Sequence, residues 1–392
     1  MVRMGNISNK NLCNAKALKN DEFYTLLSEI QAELKHYKDK FAGKTVFCNC
    51  DDPFESNFVK YFLMNFNRLG LKELIAMGYR ISPVWGSEIV DPGTPYVLRV
   101  SGTKEYLHET QTDFDMDGVK RFLKSEKASV MSLAKGNWAK ADCRNIIQFS
   151  AKDEYIDQKT GRTQKKTVKH DLYYKAGDFR SDESIALLQQ ADIVVTNPPF
   201  SLFREYVAQL VKYGKRFLIL GNVNAITYKE IFPMLKENRM WIGYSVSNGD
   251  RPFNVPDDYP LKAAICGVDK NGRKFIRVKG IRWFTNLDHA KRHQMQPLEL
   301  CFTYRGHEDM YPMYDNYNAI NVNKVSHIPC DYMGVMGVPI TFLDKHCPEQ
   351  FKIVGGTNYS TDIDGRVWKA KVNSKELFKR LLIQRNYRAT TG

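Results

Sequence analysis

No run of this 392-residue sequence approaches the ~20 consecutive apolar residues of a membrane span, and its opening, MVRMGNISNKNLCN, is too polar for a signal peptide. The expectation is a protein that stays where it is made, outside the membrane. The eight cysteines, Cys13, Cys48, Cys50, Cys143, Cys266, Cys301, Cys330 and Cys347, form no CxxC pair, and several stand inside apolar runs. That pattern excludes a disulfide framework and reads as reduced core thiols of a cytoplasmic protein. GxxxxGK(S/T) and GxGxxG are both missing, which argues against nucleoside triphosphates and dinucleotides. HExxH is missing too: His289 and His293 stand four apart, on one face if that segment is helical, but no carboxylate is placed as base or third ligand. No metal is expected. There is no internal repeat and no low-complexity tract.

What is present in excess is positive charge. Against 44 acidic residues stand 58 Lys and Arg, a net charge of +14 spread along the chain. Such an excess is self-repelling unless a polyanion offsets it, so nucleic acid is the first partner to consider. With 43% hydrophobic residues the chain buries a real core, in about two to three domains at the usual length per domain.

Periodicity supplies the elements. The run DEFYTLLSEIQAELKHY spaces Phe23, Leu26, Leu27, Ile30 and Leu34 as a helix capped by Asn20 or Asp21. KTVFCNC is a short strand ending in an acidic loop, and SNFVKYFLMNFNRLG is a helix with Ser56 at its cap and Gly70 at its end. KELIAMGYRI and DLYYKAGDF read as strands, SDESIALLQQA as a helix, ADIVVT as the most hydrophobic strand, REYVAQLVKYG as a helix and KRFLILGN as a strand. Strands that alternate with helices and are apolar throughout imply an α/β fold with a parallel, doubly wound sheet. This core spans about 20 to 245, within a domain of residues 1–245 that carries an insertion at about 86–171, because so long a connection must have structure of its own. Within the insertion, a hairpin around Thr160-Gly161 carries Lys159, Arg162, Lys165, Lys166 and Lys169 and is either a solvated turn or a DNA-touching arm. Residues 246–392 change texture to short β-prone runs rich in Tyr and Arg, expected to form a second α+β or mostly irregular region.

The chemistry concentrates at Asn197-Pro198-Pro199-Phe200, where ADIVVT ends. Ligands of open α/β sheets bind at the carboxyl ends of strands. Two prolines stiffen the turn and aim the Asn197 side-chain carbonyl and the Pro198 backbone carbonyl outward as acceptors. An exocyclic amine is a poor nucleophile because its lone pair is delocalised; two acceptors on its hydrogens favour the tetrahedral form and free that pair. Phe200 offers a stacking face to a base taken out of a duplex. A proline turn that merely terminates a strand is the alternative.

The motif (D/N/S)PP(Y/F/W) after a strand is the signature of S-adenosylmethionine-dependent amino methyltransferases. VVTNPPFSLFREYV, with KNDEFYT, FCNCDDPFESNF, AGDFRSDES, LGNVNAITYKEIFP and YMGVMGVPITFLDK, resembles the EcoRI-type adenine-specific DNA methyltransferases over about residues 15 to 357. The order of segments is similar to the gamma arrangement of such enzymes. The resemblance implies a Rossmann-like S-adenosylmethionine-dependent methyltransferase with an insertion and a C-terminal target-recognition region, acting on double-stranded DNA by base flipping and direct methyl transfer. It allows for a cognate restriction endonuclease without requiring one. Carried onto this sequence, Asn197, Pro198, Pro199 and Phe200 act at the target amine, while Asp178, beside Phe179, accepts from the cofactor's adenine amine or caps the following helix. Asn49, Asp51, Asp52 and Ser56 occupy the first-strand loop where the family wraps the cofactor, without its usual FxGxG glycines; carboxylates there suit a sulfonium and an ammonium. Tyr24 and Thr25 match the segment under the methionine end. The ribose-binding acid has no clear counterpart, since AMGYRISPVWGSE offers Tyr79 and the distant Glu88. For phosphate contact the second region offers Arg251, Lys270, Arg273, Lys274, Arg277, Lys279, Arg282, Lys291 and Arg292, interleaved with Phe275, Trp283 and Phe284. Methylation of the cytosine amine or of RNA, and a catalytically inactive DNA-binding protein of this fold, stay open as alternatives.

Overall fold

The structure, a computed structural model, describes residues 24–52, 56–78, 96–101, 143–144, 149–156, 163–170, 173–174, 177–246, 251–255, 266–269, 272–295, 302–357 and 369–386. In chain order the principal elements begin with helix α1 (Leu27–Leu34), strand β1 (Thr45–Cys48), helices α2 (Asn57–Met64) and α3 (Phe66–Leu69), and strands β2 (Glu73–Gly78) and β3 (Tyr96–Ser101). Helix α4 (Asp182–Gln190), β4 (Ile193–Thr196), α5 (Phe203–Lys212), β5 (Arg216–Asn222), α6 (Phe232–Lys236), β6 (Trp241–Ile242) and β7 (Ile281–Thr285) follow. The chain divides into two compact units, residues 39–197 and residues 1–38 with 198–392.

In the unit of residues 39–197, four strands lie in the order β4-β1-β2-β3. Strand β1 runs parallel to both β2 and β4, and β3 runs antiparallel to β2. Every residue of β1 and β4 is buried, as strands covered on both faces require, and their β-branched residues suit that position. Asp192 fastens the start of β4 to the start of β1: its carboxylate accepts from the Thr45 N–H at 2.8 Å and its own N–H donates to the Thr45 carbonyl at 2.9 Å. After β1 the chain passes to β2 on one side and later to β4 on the other, so the strand order reverses at β1. The parallel ends of β1 and β4 place residues 49–52 and Asn197 on one edge, where such a reversal opens a binding crevice. Ser56 caps α2 by accepting from the Phe58 N–H at 3.0 Å, and Gly70, with φ 61°, ends α3 in the left-handed region. The expected hairpin forms, from Phe149–Ile156 paired with Thr163–His170; Lys159, Thr160, Gly161 and Arg162 lie outside the described residues.

In the other unit, β7 pairs antiparallel with both β5 and β6, giving the order β6-β7-β5. Leu218, Ile219 and Leu220 of β5 are buried on its alternating faces, as are Trp283 and Phe284 of β7 and Tyr206 and Leu210 of α5. Gly221 is needed here, because a Cβ at that position would lie 2.4 Å from the Phe203 ring. Four short antiparallel strands form a second sheet in the order Tyr24–Thr25, Arg251–Asn254, Lys274–Val278, Cys266–Val268. A five-stranded sheet runs in the order Met313–Tyr314, Tyr317–Asn321, Met336–Pro339, Arg380–Arg385, Phe351–Gly356.

Several expectations are corrected. The strands form mixed rather than purely parallel arrangements, because β3 and β7 run against their neighbours. Tyr24 and Thr25 form a strand, and the helix starts only at Leu27, since pairing with Asn254 and Phe253 captures the backbone before it. Asn20, Asp21 and Phe23 lie outside the described residues. Gly177–Arg180 is a turn rather than the end of a strand; among the described residues of DLYYKAGDF, Tyr173–Tyr174 is extended. Strand pairing also crosses residue 245, because β7 extends the arrangement of β5, and the described residues after it include paired strands, as the α+β alternative has it. His289 and His293 share no α-helix: Ala290–His293 is a single tight turn. Among the described residues no helix is long and apolar enough to cross a membrane.

Candidate active site

In the unit of residues 39–197, Asp51 is the best-anchored side chain of the loop after β1. Its Oδ1 accepts from the Ser56 hydroxyl at 2.8 Å, its Oδ2 from the Thr196 hydroxyl, and the carboxylate also accepts from the Asn197 peptide N–H. Burial pushes its pKa up to about 7 against the opposing pull of these donors. The Thr196 hydroxyl in turn accepts from the Cys50 N–H at 3.3 Å. Asn49 is buried, Asp52 is half-buried, and the Asp52 carbonyl accepts from the Ser56 N–H at 2.9 Å. Asn49, Asp51, Asp52, Ser56 and Asn197 are therefore brought to one edge of the strands.

Asp178 and Phe179 occupy the separate turn before α4. The Asp178 carboxylate accepts from the Arg180 N–H at 2.9 Å and from its guanidinium at 2.9 and 2.8 Å, while that guanidinium lies 5.1 Å from the centre of the buried Phe179 ring. The cap of α4 is Ser181, whose hydroxyl accepts from the Ser184 N–H at 3.3 Å, so the capping role expected of Asp178 belongs three residues later.

In the other unit, Pro198 and Pro199 lead into a single turn, Phe200–Leu202, closed by the Leu202 N–H on the Pro199 carbonyl at 3.0 Å. Pro199 has φ −55°, the value its ring imposes. The half-buried Phe200 ring meets the fully buried Phe253 ring edge to face, 6.2 Å between centroids. Phe253 is the cross-strand partner of buried Thr25 and of Ile276, and Tyr24 pairs with Asn254. Phe200 and the Tyr24-Thr25 segment are thus linked through Phe253, which sequence reasoning missed. Thr196 was missed as well, although its hydroxyl stands directly before Asn197 in the sequence.

The basic residues separate into two groups. Arg251 is only 2% exposed, pairs with Glu29, donates to the Ser245 carbonyl at 3.1 Å, and lies 5.9 Å from the Trp283 ring centre. Arg282 is held by both oxygens of Asp344, at 2.8 and 3.0 Å. Lys291 donates to the Tyr244 carbonyl at 2.8 Å, and Arg292 lies 3.8 Å from the Trp241 ring centre and donates to Asp288 at 3.2 Å. With Trp283 and Phe284 fully buried, these side chains serve the fold instead of an outer face. Arg273, Arg277 and Lys279 remain exposed, with Lys274 and Phe275 half-buried, on and around the strand beside Phe253; Lys270, Tyr79 and Glu88 lie outside the described residues.

The family model described as adenine-specific methyltransferase EcoRI matches residues 11–389. The chain belongs to this family. It is 41% identical to the type II methyltransferase M.EcoRI of Escherichia coli, over 97% of each chain. It is also 37% identical to the type II methyltransferase M.MgeORF184P of Mycoplasma genitalium, over 87% of this chain and 84% of that one. M.MpnI, a type II methyltransferase of Mycoplasma pneumoniae, is 36% identical over 87% and 83%. No solved structure matches the chain. Family membership makes the protein a site-specific DNA adenine methyltransferase of mixed α/β, Rossmann-like fold that uses a methyl donor.

Proposed function

We propose that this methyltransferase extrudes its target adenine from duplex DNA and methylates the exocyclic N6 directly, with S-adenosylmethionine as donor and without a covalent enzyme intermediate. The observation that carries this reading is Asn197 at the carboxyl end of the buried strand β4, on the edge shared with residues 49–52 and followed at once by two prolines and an aromatic ring.

When bound, S-adenosylmethionine supplies an electrophilic methyl group on a cationic sulfur. The loop after β1 suits such a cation, because residues 49–56 carry three acids, Asp51, Asp52 and Glu55, and no Lys, Arg or His. Asn49, Asp52 and Ser56 with Asp178, Phe179, Tyr24 and Thr25 are the residues assigned to hold it. The Asn197 side-chain carbonyl and the Pro198 carbonyl accept from the two hydrogens of the adenine amine, which localises the nitrogen lone pair and stabilises the positive charge that grows there in the transition state. Phe200 stacks on the extruded base and helps to exclude water. Target recognition is assigned to residues 246–392 apart from β7, and phosphate contact to Arg273, Arg277 and Lys279 on the sheet that contains Phe253. A cytoplasmic location fits a DNA substrate together with the free thiols Cys48 and Cys347. A cognate restriction endonuclease is compatible with this activity and not required for it.

Asn197→Ala tests the reading. Removing an acceptor used chiefly in the transition state lowers methyl transfer by about 10²–10³, with DNA and cofactor affinities within severalfold. Near-normal incorporation of tritiated methyl groups by this variant sinks the assignment.

A further inference from the structure

We infer that Asp51 is a positioning residue for the amine-binding tetrapeptide: it holds Asn197 in place through the Asn197 peptide N–H, and it ties that placement to the loop after β1. This inference rests on the reading of Asn197 above. Three donors converge on one buried carboxylate from two elements. Ser56 comes from the cap of α2, and Thr196 and Asn197 come from the end of β4. The Thr196 hydroxyl is itself a bridge, since it accepts from the Cys50 N–H while donating to Asp51. The end of β4 is therefore stitched to the β1 loop twice, once through Thr196 and once through the Asn197 backbone.

Such stitching matters at this point more than elsewhere. Asn197 aims a side-chain carbonyl at a small amine, and errors well below 1 Å already cost much of the benefit of a preorganised acceptor. The two prolines stiffen the chain after Asn197, and Asp51 stiffens it before, so the residue is gripped from both sides. Both Asp51 oxygens are engaged by protein donors, which suits a carboxylate that positions the chain rather than one that faces a cation. The loop after β1 and the end of β4 are thus joined through the Asp51 carboxylate, so a displacement of one is expected to shift the other.

The test compares Asp51→Asn, Thr196→Val, Thr196→Ser and Asn197→Ala in single-turnover methyl transfer on a duplex substrate, with S-adenosylmethionine affinity measured separately by calorimetry. Asp51→Asn and Thr196→Val should slow the single-turnover step by about tenfold or more, with the cofactor Kd within about threefold, and Thr196→Ser should recover most of the rate lost in Thr196→Val. In the wild type the rate should fall as pH drops through about 7, because protonating Asp51 removes an acceptor, and Asp51→Asn should lack that limb. Among the described residues, Asp52 and Cys48 interact electrostatically with Asp51; burial and the adjacent carboxylate push the Cys48 thiol up, so it stays protonated throughout this range. An unchanged single-turnover rate in Asp51→Asn and Thr196→Val, beside an inactive Asn197→Ala, overturns the positioning role alone. A weakened cofactor Kd with a normal rate at saturation also overturns it and makes Asp51 a cofactor ligand. Full activity in Asn197→Ala instead removes the reading on which the inference stands. If Asp51→Asn does not fold, the Thr196→Val and Thr196→Ser pair decides the question.

Discussion

Glu33 gathers four donors in the unit of residues 1–38 and 198–392, and removing it should be felt well beyond α1. Its side chain is completely buried. It accepts from the Tyr37 hydroxyl at 2.8 Å, the Tyr244 N–H at 2.7 Å, the Ser245 N–H at 2.6 Å and the Ser245 hydroxyl. The loop is shaped to admit it: a Cβ on Gly243 would lie 2.4 Å from Glu33 Oε1. Each hydrogen bond to a charged group is worth roughly 1.5–3 kcal/mol, but the four share one acceptor and do not add, so breaking one side of such a buried cluster costs about 3–5 kcal/mol. Glu33→Ala should lose that amount in urea unfolding at pH 7 with an unchanged m-value, a large share of an ordinary domain's 5–15 kcal/mol or so. Glu33→Gln should fall between, because one amide oxygen replaces two carboxylate oxygens and its NH₂ opposes donors. The pH dependence has a definite sign. Burial holds the folded-state pKa above the ordinary 4.5, so the folded protein keeps a proton that the unfolded chain has released. The ionisation-linked part of its contribution is fully present below pH 4.5 and is lost as pH rises through the folded value, a trend that Glu33→Gln removes. A loss below about 1 kcal/mol in Glu33→Ala would refute the claim that this carboxylate holds the loop.

Burial lowers the His289 pKa from 6.5 to about 4, so its contribution is complete above pH 6.5 and is lost as pH falls through that window; wild type should lose roughly 2 kcal/mol more than His289→Leu between pH 7 and pH 5 in urea titrations. An equal loss in both proteins would show that other groups carry the acid sensitivity. Arg277→Ala and Lys279→Ala should each lower the slope of log DNA affinity against log salt by about one, whereas Arg282→Ala should leave that slope unchanged and destabilise the fold, because its guanidinium is committed to Asp344. A flatter salt dependence in Arg282→Ala would return that residue to the DNA face.

What could be read from the sequence is what depends on near neighbours. Ser56 before an apolar helical run and Gly70 after it, the uniformly apolar IVVT, and two prolines behind an asparagine each carry their own stereochemistry, and the structure has the cap, the stop, the buried strand and the stiff turn in those places. What could not be read depends on partners far along the chain. Tyr24 and Thr25 continue a helical periodicity, and only Phe253 and Asn254 turn them into a strand. Arg251 and Arg282 look in sequence like any other basic residue of an alternating run, and Glu29 and Asp344, far away in the chain, are what draw them inward. This bears directly on how the +14 charge should be interpreted. An arginine closed into a buried pair contributes no field to DNA, because its partner's charge cancels it at close range, so net charge overstates the cationic surface that a phosphate backbone meets. The exposed residues flanking Phe253 are different: Arg273, Arg277 and Lys279 keep outward faces while their sheet touches the ring that packs on Phe200. One small sheet thus carries both exposed charge and the ring that meets Phe200. In the same way Asp51 and Asp52 are indistinguishable as two acids in a loop until Thr196, 145 residues away, claims the first of them. At both places the fold separates chemically similar side chains by the partner it brings to one of them.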